Sequence, residues 1–217
     1  MSDIFHEVDE EVRRERLKFL WDRYGIYLIL LAVVFVGGIA AWRGYEWWEG
    51  RKAAQAGAAF EAAIVLSTEG KHAEAEAAFS KIAAEGSAGY RVLARLRVAA
   101  ELAQRDPKES LKAYDELAAN SALGQTLQDL AGVRAGFLLV DSASLDELRR
   151  RLDPLAAPDR AFRHSARELL AMAAWRTGDL SAARRYIDMI ATDAQTPQGT
   201  RARVDVLSAL IAADAKS

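Results

Sequence analysis

Three histidines are the side chains best placed to ligate a metal or move a proton near neutral pH. His6 lies near the N-terminus, and His72 and His164 lie in separate helical stretches. None has a second histidine or a cysteine three or four residues on, the spacing a helical zinc site uses. His164, between Arg163 and Arg167, reads as part of a solvated face. The chain has no cysteine, so it holds no disulfide, thiolate site or cysteine nucleophile. No G-x-S-x-G elbow, P-loop or G-x-G-x-x-G is present, and Gly86-Ser87-Ala88-Gly89 follows no strand, so it reads as a loop. Glu74 with Glu76 and Asp146 with Glu147 are surface carboxylates without catalytic spacing. With 29 Lys and Arg against 31 Asp and Glu, the chain lacks the basic excess that a phosphate backbone requires. The residues therefore predict no catalytic group, no metal, no cofactor, no small-molecule substrate and no nucleic acid. Binding is the remaining function, and an uncharacterised membrane-bound enzyme is a remote alternative.

The elements that would carry such binding are helices. From Arg51 onward the chain is rich in Ala, Leu, Glu and Arg, all good helix formers, with no period-2 alternation. Breaks fall at Gly70, Gly86–Gly89, Arg105-Asp106-Pro107, 120–124, Asp141-Ser142, 153–158, Gly178-Asp179 and Thr196-Pro197. They cut eight or nine helices of ordinary length. Phe79, Tyr114, Leu152 and Tyr186 lead one recurring apolar pattern, at intervals of 35, 38 and 34 residues. A small residue stands four before the ring in Ala75/Phe79, Ser110/Tyr114 and Ala182/Tyr186, one helical turn away, so a partner helix can approach closely. Ala94-Arg95 through Tyr114 aligns without a gap on Ala166-Arg167 through Tyr186.

A period near 34 with this small-xxx-aromatic second helix resembles the tetratricopeptide repeat. The alternative is a generic Ala-rich helical bundle. The predicted fold is all-α: an α-solenoid of about four helix hairpins over residues 53–217, closed by a helix within Pro197–Ala213. Stacked hairpins offer a concave face made from their first helices. Its candidate partner-binding residues are Tyr90, Arg91, Arg95, Arg163 and Arg167. Arg149-Arg150-Arg151 is a basic run on a helix face.

Tyr24 to Trp42 is nineteen residues without a charge, and a helix of that length reaches about 28 Å, close to the hydrocarbon thickness of a bilayer. Tyr24 and Tyr27 at one end and Trp42, Tyr45, Trp47 and Trp48 at the other suit the headgroup region. The expected layout is a cytoplasmic tail over 1–23, a transmembrane helix over 24–42 and an interfacial linker over 43–52. Arg13, Arg14, Arg16, Lys18 and Arg23 precede the span, and Arg43, Arg51 and Lys52 follow it, favouring an N-terminus inside. Gly38-Ile39-Ala40 offers a cleavage pattern, but the acidic leader and long apolar run favour an uncleaved anchor. Gly37 and Ala41 form a small-xxx-small pair able to seat a second membrane helix.

The charged tail DEEVRRERLKFLWDRYG, the single span, the exit AWRGYEWW and the degenerate hairpins together resemble the YfgM-type ancillary subunits of the bacterial Sec translocon. The likeness covers the whole length, and the tail, span and Trp-Arg-Gly-Tyr-x-Trp exit are its most specific part. It implies an inner-membrane protein with periplasmic repeats. The implied partners are translocon subunits, a periplasmic chaperone and exported chains. An envelope scaffold for cell division or outer-membrane assembly is the runner-up.

Overall fold

In a computed structural model the chain is described from residue 3 to residue 214, with side chains from residue 18 to residue 213 except residue 20. The expectations for His6 and for the charges of the tail before Lys18 fall outside the described side chains. Nine α-helices and two short 3-10 turns make up the described residues, with no strand among them. They are α1 (Asp3–Thr68), α2 (His72–Glu85), α3 (Ala88–Leu102), α4 (Pro107–Ala119), α5 (Gln125–Leu139), α6 (Leu145–Leu152), α7 (Arg163–Arg176), α8 (Leu180–Ala191) and α9 (Gln198–Asp214). The chain divides into two units, Met1–Ala54 and Gln55–Ser217, with α1 contributing to both.

Over residues 24–42 of the first unit, α1 is apolar on all sides and almost wholly exposed. Leu31, Val34 and Phe35 are each about two-thirds exposed, where the core helix of a soluble domain would be covered. The helix is long and apolar enough to cross a membrane. Residues 43–52, expected as a linker, are helical too. There the Arg51 guanidinium stacks 4.7 Å above Trp47 and the Lys52 ammonium 5.4 Å from Trp48. Gly37 meets no atom that a Cβ would touch, so the small pair it forms with Ala41 lies open.

In the second unit the end of α1 pairs with α2, then α3 with α4, α5 with α6, α7 with α8, and α9 closes the series. Several breaks have a local cause. Gly70 and Gly178 end first helices in the left-handed region (φ +77 and +81), where Ala would be strained. Beyond them Lys71 N–H reaches Leu66 O and Asp179 N–H reaches Ala174 O, both at 2.9 Å. Asp106 caps α4 ahead of Pro107, accepting from the N–H groups of Lys108 and Glu109. Asp179 caps α8 through Ala182 N–H, and Ser144 caps α6 through Glu147 N–H.

Three successive cores run along the unit, each made only by neighbouring helices. Phe60, Ala63, Phe79 and Ala94 form the first, Ala99, Tyr114, Leu117 and Ala131 the second, and Leu148, Leu152, Leu169 and Ile190 belong to the third. That nearest-neighbour arrangement is the mark of a solenoid. The recurring ring positions Phe79, Tyr114, Leu152 and Tyr186 are all buried. Ser110 is fully buried and donates to Ala99 O at 2.6 Å, so its hydroxyl is satisfied. In the third hairpin the small residue has changed helices. Leu148 stands where the other hairpins carry Ala or Ser, and the close approach is supplied by Gly136 of α5. A Cβ there would lie 2.9 Å from Leu152 Cδ2 and 3.3 Å from Leu169 Cδ1.

Ion pairs tie consecutive hairpins at about one repeat's separation. Arg105 holds Glu76, Arg151 holds Asp115, Arg149 holds Asp179 and Arg203 holds Glu168. The basic run 149–151 thus supplies two inter-hairpin ties, at Arg149 and Arg151.

Candidate functional site

The first helices α3 and α5 build a groove of about 410 Å³. On α3, Leu93, Leu96, Arg97 and Ala100 follow i, i+3, i+4, i+7 spacing and so share one face. On α5, Leu130 and Arg134 repeat the Leu93/Arg97 pair 37 residues later. Phe60 of α1 adds to one side, and Tyr114 of α4 lies at the base, 4 % exposed. Burial pushes the Tyr114 phenol above its ordinary pKa, against the opposing positive fields of Arg134 and Arg97. Leu93 is 44 % exposed, and Phe137, one turn beyond Arg134, is similarly bare. Among the described residues neither Arg97 nor Arg134 has a carboxylate within ion-pair distance.

The sequence candidates occupy other places. Tyr90 is half-buried in the first core, its ring 5.6 Å from that of Phe60 and its hydroxyl against Gly57. Arg91 is exposed on α3. Arg95 faces the opposite side of α3, in a second groove of about 400 Å³ that also contains Glu116.

Arg163 and Arg167, expected on an exposed face, are internal. Arg163 donates from Nε to Asp193 Oδ2 at 2.8 Å and from Nη2 to Gln195 Oε1 at 2.6 Å. Arg167 is 4 % exposed, donating to Ala156 O at 3.0 Å, Met189 O at 3.1 Å and Asp193 Oδ2 at 3.3 Å. His164, expected on a solvated face, is 7 % exposed, with Nε2 3.0 Å from Asp193 Oδ2. The cause of all three corrections is Asp193. Arg163 and Arg167 are the gap-free equivalents of Arg91 and Arg95, but the position equivalent to Asp193 is Ser121 in the second hairpin. Without that carboxylate Arg91 and Arg95 stay outside; with it, their counterparts fold inward. The guanidinium of Arg163 and the N–H of Gln195 hold the Asp193 carboxyl well below the usual carboxylate range.

One further cluster contains residue types used in catalysis. Glu101, 4 % exposed, accepts from Ser67 Oγ at 2.6 Å and meets His72 Nδ1 at 2.7 Å. Serine and histidine both bond to the carboxylate, whereas activation of a serine needs histidine in the middle. The arrangement ties the α1–α2 turn to α3. Among the described residues no three His, Cys, Asp or Glu side chains converge to hold a metal ion.

Helix hairpins in nearest-neighbour series, with a buried ring in three of the four second helices and Leu152 in the other, set the expectation for a comparison with known families. The model of the tetratricopeptide repeat-like domain matches residues 18–208. The chain belongs to that family. No curated protein and no solved structure matches it. Tetratricopeptide repeat-like domains are typically non-catalytic protein-interaction modules, and the groove on α3 and α5 is open and lined by two arginines without an ion-paired carboxylate among the described residues.

Proposed function

We propose that the protein is a membrane-anchored interaction module that assists the Sec translocon and periplasmic chaperones with exported chains. The observation that carries the reading is the coexistence, in one tetratricopeptide repeat-like chain, of a bare apolar helix and an open groove with exposed leucines. The helix would fix the domain at the bacterial inner membrane, N-terminus inside and repeats in the periplasm. Tethering of this kind raises the effective concentration of a weak binding site near its clients. The groove would take segments of partner polypeptides, and the open Gly37/Ala41 pair would seat a neighbouring membrane helix. The specific tie to the translocon comes from the resemblance of the tail, span and Trp-rich exit.

The test is purification of the full-length protein from membranes in mild detergent, together with protease digestion of spheroplasts carrying a tag at Ser217. Co-purification of translocon subunits, with digestion of the repeats from outside, is the expected result. Protected repeats, or a preparation free of translocon subunits, would refute the reading. Recovery of division or outer-membrane assembly proteins would transfer the same groove to an envelope scaffold.

A further inference from the structure

The charges lining three grooves of the repeat domain separate one from the others. The groove with Arg95 also contains Glu116, and the groove of about 500 Å³ with Arg151 and Arg160 also contains Asp129. In the latter, Arg160 Nη1 lies 3.2 Å from Asp129 Oδ1, and Arg151 is held by Asp115. Only the α3–α5 groove among these three is lined by two cations and no anion. Glu101, a buried carboxylate one turn beyond Arg97 on α3, is already engaged by Ser67 and His72.

The pairing of apolar and cationic groups also has a pattern. Leu93 with Arg97 on α3 recurs as Leu130 with Arg134 on α5, each pair one helical turn apart. Two arginines thus flank a row of leucines across adjacent hairpins. Guanidinium is the side chain best suited to hold a carboxylate through two parallel hydrogen bonds, and it does so more strongly where the surroundings are apolar. A basic ligand would face like charge, and a purely apolar one would leave both cations uncompensated.

We infer that the α3–α5 groove selects acidic, leucine-rich polypeptide segments, with Arg97 and Arg134 holding carboxylates and Leu93 and Leu130 holding apolar side chains. The inference rests on the groove being the docking surface, and it adds the chemistry of the occupant. Selection is then by charge as well as by hydrophobicity. It weakens as salt rises, because the cations are exposed.

The experiment uses the full-length protein in nanodiscs of phosphatidylcholine, whose surface carries no net charge. Three fluorescent dodecapeptides alternate leucine with glutamate, glutamine or lysine, and binding is read by anisotropy. The glutamate peptide is expected to bind most tightly and to lose affinity with added salt. The double substitution Arg97→Gln/Arg134→Gln should weaken it at least tenfold, about 1.4 kcal/mol, while leaving the glutamine peptide unchanged. Arg91→Gln, an exposed arginine of α3 outside the groove, should leave all three unchanged, which separates the groove from general positive charge. Leu93→Asn/Leu130→Asn should weaken both the glutamate and the glutamine peptide.

Equal binding of all three peptides, or no effect of the double arginine substitution, overturns the acidic selection. If binding is nevertheless lost in Leu93→Asn/Leu130→Asn, the docking reading survives and only the occupant's charge is wrong. If no peptide binds, the docking reading falls as well. Self-association abolished by the leucine substitutions would make the occupant a second copy of the chain and would also overturn the proposal.

Discussion

Asp193 decides the fate of three neighbours. With its carboxylate in place Arg163, His164 and Arg167 turn inward; at Ser121, one gap-free alignment away, the counterpart arginines Arg91 and Arg95 remain on the surface. The carboxyl is held well below its ordinary value, mainly by Arg163 and then by the Gln195 N–H. Its contribution to stability is therefore complete above the unfolded value, about pH 3.9, and is lost as pH falls below it. Asp193→Asn should lower the urea midpoint at neutral pH and flatten the acid limb between roughly pH 4 and pH 2. A variant whose midpoint falls in parallel with the wild type across that range would contradict the assignment. The misplacement of Arg163, Arg167 and His164 from sequence has a physical origin. Repeat alignment equates positions by backbone register, whereas burial of a guanidinium depends on one carboxylate about a repeat away. A search for opposite charges 26–36 residues apart would have found this cluster and the Arg151–Asp115 and Arg203–Glu168 ties. The same repeat logic, applied to Leu-x-x-x-Arg on first helices, points to Arg97 and Arg134, although the pattern also occurs at Leu145/Arg149 and Leu180/Arg184 on second helices.

Among the elements, the third hairpin shows how the repeat tolerates inversion. Its second helix carries two fully buried leucines, Leu148 and Leu152, so close approach depends on the glycine of the first helix. Gly136→Ala places a methyl 2.9 Å from Leu152 Cδ2 and 3.1 Å from its Cδ1, in a site with little room to yield. Overpacking of this kind costs about 1–3 kcal/mol, against about 1 kcal/mol regained in helix propensity. A net loss of about 1 kcal/mol is expected in chemical denaturation. Gly132→Ala, four residues earlier, meets only Leu155 Cδ1, the end of a half-buried side chain in a short turn. That substitution should be neutral or stabilising. If the two variants behave alike, Gly136 is not the point of approach. Helix number and every break were legible in the sequence, because Gly70, Asp106-Pro107 and Gly178-Asp179 act locally. The changed helix of the small residue was not, because it is a property of two helices in contact. The continuity of α1 through residues 43–52 was also missed. The stretch holds Gly44 and Gly50, yet the five residues between them, Tyr45 to Glu49, are helical with the rest of α1.

At the scale of the whole molecule, a bare apolar helix and a solenoid of helix hairpins occupy one chain, and the solenoid presents an uncompensated cationic groove. The central claim is that this groove is where polypeptide partners dock at the membrane. Photo-crosslinking in intact cells tests it most directly, with a benzophenone side chain placed at Leu93 in one strain and at Lys112, exposed on the second helix α4, in another. The account expects discrete membrane-fraction adducts from position 93, containing translocon subunits or exported chains and lost in the Arg97→Gln/Arg134→Gln background. Adducts from position 112 alone, or equal adducts from both positions that ignore the arginines, would contradict it.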